Sequence, residues 1–374
     1  MITRVTHLTT AHARFDTRIF LKECRSLVRL GFDVSLVVAD GKGDEQKEGV
    51  SICDVGVPKG RLDRMLFATQ RAFKRCVALD SDIYHFHDPE LIPVGRKLKR
   101  LGKIVIFDSH EDVPKQVLGK PYLNPIARKT ISRFFSFYES VACREFDAIV
   151  AATPSIRDKF LRVNPRTVDI RNYPLRDELS LPSDQEHSGK AKKVCYVGGI
   201  SIDRGAREMV RALEHLEPDL TLELAGPFSE RGLEAHLGTY EGWSRVTARG
   251  VIGRDEVGQV LRSSIAGLVT LHPAENYLDS LPIKMFEYMS AGIPVIASNF
   301  PLWVDIIETS NCGLCVDPTS SIDIARAISY LVENPGEARQ MGINGRDAVL
   351  ARYNWDLEER KLQDLYSKVL DRSA

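Results

Sequence analysis

The sequence lacks long hydrophobic runs: no stretch approaches the roughly 18 apolar residues that a membrane-spanning helix needs. A signal peptide is not expected either, because residues 1–8 read as a β-strand without a long apolar core or a cleavage site. The seven cysteines are scattered and show no disulfide framework. These absences favour a cytoplasmic protein, with any membrane contact made from the inner face.

The chain also lacks net charge, since 51 basic residues balance 51 acidic ones. The balance is uneven: residues 1–180 hold 31 Lys and Arg against 23 Asp and Glu, and the remainder holds 20 against 28. Residues 61–75 and 122–138 mix basic with apolar and aromatic residues. Such helices fit an anionic membrane surface, so we expect peripheral membrane contact and no nucleic acid. Solvated helices with apolar faces on the core explain either stretch alone equally well.

At 374 residues the chain is long enough for two domains. Short apolar runs alternate with amphipathic stretches from end to end, which predicts an α/β fold with parallel sheets. Residues 172–192 are polar, contain two prolines and read as a linker. We therefore predict two α/β domains, residues 1–171 and 193–353, and a final amphipathic helix within residues 354–374.

The periodicity predicts individual elements as well. Predicted strands cover residues 4–8, 33–38, 50–54, 83–87, 104–108, 148–151, 193–197, 221–224, 246–249, 266–270, 295–297 and 313–316. Predicted helices cover residues 17–30, 61–79, 90–101, 125–145, 205–216, 230–237, 255–263, 283–291, 321–333 and 355–370.

The most informative segment begins at Asp279. This residue opens a turn, a helix is predicted to begin at Pro282, and a second carboxylate, Glu287, lies just over one turn inside that helix. Proline suits a first helical position, and the free amide groups there bind anions. The segment therefore predicts a cradle for a nucleotide diphosphate, with Glu287 close enough to bind a ribose hydroxyl.

This segment resembles the signature of the retaining glycosyltransferases of family 4, in which two acidic residues are separated by seven others. The resemblance extends over nearly the whole chain, although Asp279 stands where the family usually has Glu. It implies the GT-B fold, in which two Rossmann-like domains face each other across a cleft and the C-terminal helix crosses back to the first domain. It also implies that the donor binds mainly to the second domain, the acceptor to the first, and that domain closure assembles the site.

A glycine turn followed by an arginine opens the second domain, at Gly198, Gly199 and Arg204. Glycines let the backbone approach a phosphate, and an arginine can bind its oxygens; a tight turn without a ligand is the alternative. The resembled family has an arginine just after the first glycine, where this chain has Gly199. We hypothesise that Lys284 supplies the missing positive charge.

The resemblance implies the remaining donor contacts. Asp279 would hold a sugar hydroxyl, and Gly226 and Val251 would lie against the base without distinguishing uracil from guanine. The expected donor-binding residues are Gly198, Gly199, Arg204, Gly226, Val251, Ser280, Leu281, Pro282, Ile283, Lys284 and Glu287.

Two predicted strands of the first domain end in histidines, His87 and His110. Ligands of open parallel sheets bind beyond the carboxyl ends of the strands, although a lone histidine there is more often structural. His110 matches the family histidine beside the donor sugar, which implies a catalytic role for it together with Asp279. In the resembled family a glycine-bearing loop after the first strand touches the donor phosphate and the acceptor, whereas the loop of this chain has no glycine. The alternative is an ordinary helix with Asp16 or Thr17 as its N-cap. The expected acceptor-binding residues are His12, Arg14, Asp16, Arg18, His87 and Glu111.

Neither a metal nor a cofactor is expected, since a nucleotide sugar is a substrate. The pair Asp80 and Asp82 precedes a strand, whereas a metal-binding pair of this kind in the other major glycosyltransferase fold follows one. Cys312 and Cys315 have redox spacing but enter a strand and lack a second pair for zinc. The nine histidines show no metal-ligand spacing.

The expected function is transfer of a sugar from a nucleotide-diphosphate sugar, UDP-sugar favoured, to a saccharide or lipid-linked acceptor. The resemblance implies retention of configuration without a metal, in the synthesis of surface polysaccharide or glycoconjugate. Two alternatives stay open: a sugar-nucleotide epimerase on the same fold, and a non-catalytic sugar-nucleotide binder. The second is suggested by Gly199 and Asp279, which depart from the family pattern.

Overall fold

A computed structural model describes residues 2–120, 123–176 and 192–371. The chain divides into two compact units, Met1–Asn172 with Trp355–Ala374, and Tyr173–Asn354. Residues 177–191 of the predicted linker lie outside the described residues, as do residue 122 of the second basic stretch and residues 372–374 of the final segment. None of the helices in the described part combines the length and apolar character that crossing a bilayer requires.

The first unit is built on an eight-stranded sheet with the order β3-β4-β2-β1-β5-β6-β7-β8. Its strands are β1 Arg4–Leu8, β2 Asp33–Val38, β3 Glu45–Lys47, β4 Val50–Asp54, β5 Ile83–Phe86, β6 Ile104–Ser109, β7 Ala148–Ala151 and β8 Thr167–Asp169. All neighbours pair in parallel except β3, which is antiparallel to β4. From β1 the chain adds β2 and β4 on one side, and from β5 onward it adds strands on the other side of β1. Ligands of such sheets bind beyond the carboxyl ends of the strands at this switch point, here β1 and β5.

The helices of the first unit connect these strands. They are Ile19–Cys24 (a π-helix) with Arg25–Arg29, Arg61–Asp63 with Arg64–Ala68 (π) and Thr69–Leu79, Pro89–Leu91 (3-10) with Ile92–Arg100, Val113–Leu118, Pro125–Cys143, Pro154–Leu161, and the C-terminal Trp355–Leu370. The last helix packs within this unit: the indole Nε1 of Trp355 donates to the Ser26 hydroxyl at 2.9 Å, and the ring of Tyr366 meets that of Phe32 edge to face.

The second unit has a six-stranded parallel sheet with the order β11-β10-β9-β12-β13-β14. Its strands are β9 Lys193–Val197, β10 Thr221–Ala225, β11 Val246–Gly250, β12 Ala266–Val269, β13 Val295–Ser298 and β14 Gly313–Val316. Its helices are Ile202–Arg204 (3-10), Ala206–Ala212, Leu213–His215 (3-10), Leu233–Leu237, Glu241–Arg245 (3-10), Arg254–Ser263, Glu275–Leu278, Ile283–Ser290, Pro301–Ser310, Ser321–Glu333 and Pro335–Arg352. Two parallel-sheet α/β units were predicted, and this prediction is confirmed.

Apolar residues cover both faces of the second sheet, because successive strand side chains point to opposite sides. Val194 and Tyr196 of β9 belong to one hydrophobic cluster, with Leu222 and Leu224. Cys195, the residue between them, belongs to the cluster on the other face. Burial on both faces explains why these strands read as continuous apolar runs.

The sequence prediction missed four helices that carry a proline in the first turn: Val113–Leu118, Pro154–Leu161, Pro301–Ser310 and Pro335–Arg352. It also missed the short helices Glu241–Arg245 and Glu275–Leu278. A proline in the first turn costs no helical hydrogen bond, so it can mark the start of a helix. The Thr153 hydroxyl accepts from the amide of Ile156 and caps one of these helices. A polar residue before a proline was therefore the available signal.

Other boundaries differ from the prediction for local reasons. The predicted helix 17–30 is a π-helical turn followed by a short α-helix, and Asp16 caps it by accepting from the amides of Arg18 and Ile19 at 2.8 and 3.0 Å. The predicted helix 230–237 begins only at Leu233, because Gly232 takes a left-handed conformation (φ +80°). Two short strands, β3 and β8, were not predicted.

One face of the first sheet carries buried polar groups. His7 on β1 and His85 on β5 are register partners, and both are fully buried, as is His87 just after β5. Burial lowers the pKa of His7 and His85 well below the ordinary value, and it lowers that of His87 to about 4. These imidazoles are therefore neutral in the folded protein at neutral pH.

Buried neutral histidines make stability depend on pH. The unfolded chain protonates each of them below about pH 6.5 and the folded protein does not, so the unfolded state binds more protons and stability falls as pH drops through this window. We expect His85→Asn, which keeps an N–H near the position of Nδ1 but cannot titrate, to reduce the slope of unfolding free energy by about 1.4 kcal/mol per pH unit between pH 6 and 4.5.

Urea unfolding followed by Trp355 fluorescence measures this slope, in a Trp243→Phe, Trp303→Phe background that leaves one tryptophan in the chain, on the C-terminal helix. Because wild type and variant share every other titrating group, their difference isolates His85. Equal slopes for the two proteins would show that His85 is protonated in the folded state.

Candidate functional site

Two glycines hold the strand ends of the second unit close together. Gly198 follows β9, Gly226 follows β10, and the Gly198 amide donates to the carbonyl of Ala225 at 2.8 Å. A Cβ on Gly226, where φ is +143°, would overlap the carbonyl oxygen of Gly198. Glycine is required there, and it leaves main-chain atoms open to a ligand at the carboxyl edge of the sheet.

Lys284 places a buried amine at this edge. Its side chain is partly exposed as a whole, but its Nζ atom is buried and has no hydrogen-bond partner in the part of the chain that the structure describes. The Nζ atom lies 3.6 Å from the centroid of the Tyr196 ring and 3.0 Å from where a Cβ on Gly198 would be. Burial, and secondly the positive charge of Arg204, lower the pKa of Lys284 well below its ordinary value.

Arg204 lies at the same glycine turn. Its Nη1 donates to the carbonyl of Gly199 at 3.2 Å, and the Tyr196 hydroxyl donates to that carbonyl at 2.8 Å. Two cationic side chains that raise each other's energy are stabilised by an anion bound between them. A diphosphate, with its two negative groups, has the charge and the acceptor oxygens that this arrangement leaves unsatisfied.

The predicted cradle helix runs over Ile283–Ser290, so the helix begins one residue later than expected. Pro282 has an extended backbone (ψ 122°) and precedes the first turn. The helix ends as predicted at Gly292 (φ +68°), because the amide of Ile293 donates to the carbonyl of Tyr288 and that of Gly292 to Met289, which forms a Schellman motif.

Hydrogen bonds and apolar packing fix the turn before this helix. The indole Nε1 of Trp303 donates to the carbonyl of Ser280 at 2.7 Å, and the Ser280 amide donates to the carbonyl of Tyr277 at 3.1 Å. Leu281 packs against the apolar cluster around Trp303. The turn is therefore fixed, with Asp279 on its exposed side.

Glu287, the predicted ribose ligand, is buried, with 7% of its surface exposed. Its Oε1 pairs with Nη1 of Arg254 at 2.7 Å. Arg254 begins the helix that follows β11. Val251, predicted to lie against the base, is 78% exposed in the same β11 loop. The structure thus brings a carboxylate and an open loop to the carboxyl edge of one sheet.

In the first unit, Asp88 organises the loop after β1. Its Oδ2 accepts from the Thr9 hydroxyl at 3.0 Å and from the amides of Thr10 and Ala11 at 2.5 and 3.1 Å. His12 lies between Asp88 and Asp16, 3.5 Å from each carboxylate. Burial opposes protonation of His12, but the hydrogen bond to Asp16 and the charge of Asp88 outweigh it and raise its pKa.

His110 follows β6 and is anchored by a carboxylate. Its Nε2 is 2.8 Å from Oδ2 of Asp108, its side chain is 17% exposed, and its ring centroid lies 5.0 Å from that of His12. Asp108 is ionised: although burial opposes this, the guanidinium of Arg18 and then the nearby imidazoles lower its pKa well below the ordinary value. His110 therefore donates through Nε2 and has Nδ1 as an acceptor.

Three residues that were expected to contact the acceptor lie inside the unit instead. Arg14 pairs with Asp40 and Glu45 at 2.6 and 2.8 Å, and Arg18 makes a two-pronged pair with Asp108 at 2.8 Å. These two arginines and His87 are at most 4% exposed. We correct their assignment to supporting the loop and His110, because none presents its polar atoms at the surface.

The remaining expected acceptor residue, Glu111, is exposed and accepts from Nε2 of Gln116. The motifs set aside are structural. Asp82 accepts from the amide of Arg4 at 2.8 Å, and Asp80 pairs with Lys103 at 2.7 Å, so both stabilise the entry to β5. All seven cysteines are free.

A cluster that the sequence prediction missed lies beneath His110. Ligand-type atoms of Glu23, His85, His87 and Asp108 lie within 4.8 Å of one another. A metal ion fits this cluster poorly, because Nε of Arg18 contacts both carboxylates, at 2.8 and 3.2 Å, and a buried guanidinium repels a second cation. The alternation of histidines at positions 85 and 87 was the available signal for a polar sheet face.

Two helices of the first unit expose apolar side chains beside basic ones. On the helix Pro125–Cys143, Ile126, Phe134 and Phe137 are 79, 72 and 71% exposed, and Lys129 and Arg133 lie on the same side by helical spacing. The continuous helical segment formed by Arg61–Asp63 and Arg64–Ala68 also exposes apolar side chains, those of Leu62, Met65, Leu66 and Phe67.

Comparison with known proteins agrees with these observations. Residues 17–171 match the family described as Glycosyltransferase Family 4, and residues 178–348 match Glycosyl transferases group 1. A D-rhamnosyltransferase of Pseudomonas aeruginosa is 25% identical over 79% of this chain and 76% of its own. Alpha-maltose-1-phosphate synthase of Mycolicibacterium smegmatis is 23% identical over 63% of this chain and 66% of its own length.

Solved structures give the same fold. Sucrose-phosphate synthase from Thermosynechococcus elongatus superposes with a TM-score of 0.81 at 18% identity, covering 99% of this chain and 100% of that one. HepE of Anabaena, in complex with UDP-glucose, superposes with a TM-score of 0.74 at 13% identity over 98% and 99% of the chains. The chain belongs to the family 4 type of glycosyltransferases and has the GT-B fold.

Proposed function

We propose that this glycosyltransferase moves a sugar from a UDP-sugar to a saccharide or lipid-linked acceptor with retention of configuration, without a metal, in the synthesis of surface polysaccharide or glycoconjugate. The observation that carries the proposal is the buried Nζ of Lys284, which lies next to Arg204 and the Gly198 turn and has no hydrogen-bond partner among the described residues. A buried amine without a partner is costly and its charged form more so, and an anionic ligand would remove this cost.

The donor would bind through its diphosphate and its ribose. Lys284, Arg204 and the first amides of the helix Ile283–Ser290 would stabilise the charge that develops on the departing diphosphate. This supply of positive charge supports a mechanism without a metal. Glu287 would bind the ribose through its second carboxylate oxygen while Oε1 stays with Arg254, and Asp279 would hold a hydroxyl of the sugar.

His110 would orient the donor sugar by accepting a hydroxyl hydrogen at Nδ1, since its Nε2 hydrogen is committed to Asp108. His12 and Glu111 would contact the acceptor, and Asp16 would hold the His12 loop. In a front-face displacement, the bond from the anomeric carbon to the diphosphate oxygen breaks as the acceptor oxygen bonds to the same face of that carbon. The acceptor's proton passes to the leaving phosphate, so no separate base is needed.

The choice of UDP is supported by neighbours of known structure. HepE of Anabaena was solved with UDP, with UDP and glucose, and with UDP-glucose, and a trehalose-6-phosphate protein of E. coli with UDP-2-fluoro glucose. A GDP-mannose-dependent mannosyltransferase of Mycobacterium tuberculosis is 34% identical over only 23% of this chain.

A thermal-shift series with UDP, GDP and UMP tests the choice of UDP: UDP should raise the melting temperature of the protein most. A larger shift with GDP would overturn the UDP assignment.

Replacing Lys284 tests the phosphate site. We expect Lys284→Met to weaken UDP binding about tenfold, through loss of one charged hydrogen bond. Turnover should fall further, by roughly 10² to 10³, because the charge on the diphosphate grows during bond breaking. Calorimetry and initial rates measure the two effects.

The matched control is Lys192→Met, which removes a lysine paired with Asp219 at the surface of the same unit. Calorimetry in two buffers of different ionisation enthalpy adds a second readout: the lowered pKa of Lys284 predicts proton uptake when UDP binds, and the Lys284→Met protein should show less uptake. Wild-type turnover in Lys284→Met would exclude this lysine from the leaving-group site.

Stereochemistry and metal dependence can be read in one reaction. With a UDP-α-sugar donor in excess EDTA, we expect proton NMR to show an α-linked product formed at an undiminished rate. A β-linked product would contradict retention, and a rate restored only by Mg²⁺ or Mn²⁺ would contradict the metal-free mechanism. An isomerised donor formed without acceptor would favour an epimerase, whereas binding without any transfer across an acceptor panel would favour a non-catalytic protein.

We propose membrane contact through the exposed apolar and basic face of the helix Pro125–Cys143. Phe134 and Phe137 would enter the headgroup region while Lys129 and Arg133 meet anionic lipid. We expect the double variant Phe134→Ser, Phe137→Ser to reduce co-sedimentation with vesicles containing phosphatidylglycerol several-fold, and to leave the UDP thermal shift unchanged. The control is Leu101→Ser, an exposed apolar residue just after the helix Ile92–Arg100. Equal binding by all three proteins would locate the contact elsewhere or exclude it.

A further inference from the structure

A chain of hydrogen bonds runs through the polar face of the first sheet, from the C-terminal helix to His110. The Tyr366 hydroxyl is 3.0 Å from Nδ1 of His85 and 3.4 Å from Nε2 of His7. Nδ1 of His7 is 2.9 Å from Nε2 of His87, whose Nδ1 is 3.1 Å from Oδ2 of Asp108. Tyr366, His85, His7 and His87 are each at most 2% exposed.

The direction of the chain is fixed at its carboxylate end. Asp108 is ionised and held by Arg18, so it can only accept. His87 must therefore place its single hydrogen on Nδ1, because a lone pair there would face the negative oxygen. A neutral His87 then accepts at Nε2.

The same reasoning fixes the next link. Only a hydrogen on Nδ1 of His7 can satisfy Nε2 of His87, which makes Nε2 of His7 an acceptor. Within the described residues, the one hydrogen-bond partner that faces this Nε2 is the Tyr366 hydroxyl. Tyr366 therefore donates to His7 and accepts from Nδ1–H of His85.

We propose that Tyr366 is a positioning residue: its hydroxyl ends a one-way hydrogen-bond chain through His7 and His87 that fixes Asp108 and, through it, the ring of His110. The inference rests on the proposed role of His110 in holding the donor sugar. It gives the C-terminal helix a task in the site as well as in packing, since no other part of that helix bonds to these histidines among the described residues.

Loss of the Tyr366 hydroxyl leaves Nε2 of His7 and Nδ1 of His85 buried without partners. An orphaned buried polar atom is strongly unfavourable, so the His7 ring turns or admits water, and its bond to His87 weakens. The hydrogen bond from Nδ1–H of His87 to Oδ2 of Asp108 then weakens, and this oxygen attracts the Nε2 proton of His110 more strongly. The charged and titratable groups that face His110 are Asp108, His87 and His12, with Arg18 and Asp88 behind them.

Ring nitrogen NMR on the full-length protein tests the chain without depending on activity. In the ¹⁵N-labelled wild type, His7, His87 and His85 should be neutral with the hydrogen on Nδ1. Tyr366→Phe should change the ring nitrogen signals of His7, His87 and His110. The control is Tyr84→Phe, which removes another buried hydroxyl of this unit, bonded to the Cys76 carbonyl and the Ser81 amide.

Kinetics then link the chain to transfer. We expect Tyr366→Phe to lower kcat about tenfold and to leave KM for the donor within about twofold. Two variants of the middle link serve if Tyr366→Phe folds poorly: His7→Asn keeps an N–H near Nδ1 and should retain wild-type signals, whereas His7→Leu should not.

An Nε2–H form of His87 in the wild type would overturn the proposal. So would unchanged His7, His87 and His110 signals in Tyr366→Phe, or equal effects of His7→Asn and His7→Leu. If no acceptor is ever glycosylated, the proposed function fails while the NMR result still decides whether the chain exists.

Discussion

At the carboxyl edge of the second unit's sheet, the buried amine of Lys284 has no hydrogen-bond partner among the described residues, and on our proposal an anion provides it. The Nζ atom packs on the Tyr196 ring at 3.6 Å, and a cation over an aromatic face recovers only part of the lost hydration. Arg204 at the same glycine turn adds repulsion. A fold keeps such a cost when a ligand removes it, and this makes the carboxyl edge of the second sheet the centre of the account.

In the first unit, by contrast, the buried arginines are paired with carboxylates. Arg14 and Arg18 are buried but fully paired with carboxylates, and three neutral histidines share hydrogen bonds in one direction. Paired buried charges and satisfied polar chains give rigidity, whereas unpaired ones give affinity. On the proposed function, the second unit would recognise the diphosphate and the first would orient the sugar through His110.

Much of the second unit's site could be read from the sequence because its residues are close together along the chain. Lys284 and Glu287 share one short helix with the Pro282 turn, and Gly198 and Arg204 belong to one strand-turn segment. Local periodicity and turn chemistry are enough to place such groups. The sequence also indicated two parallel-sheet units, since alternating apolar runs and amphipathic stretches leave few other arrangements.

The first unit's polar interior could not be read in this way, because its partners are far apart in sequence. Arg18 meets Asp108 across 90 positions and Tyr366 meets His7 across 359, so pattern alone suggested surface roles for Arg18 and His87. Whether an arginine faces a ligand or a buried carboxylate depends on tertiary contacts that no local window contains. Four of the missed helices are different, because the prolines in their first turns were a local signal that the sequence prediction did not use.

The most direct measurement is a crystal structure of the protein with UDP. It should show a phosphate oxygen within salt-bridge distance of Nζ of Lys284 and of the Arg204 guanidinium, with the ribose on Glu287. A diphosphate bound elsewhere, with Lys284 still unpaired against Tyr196, would contradict the account.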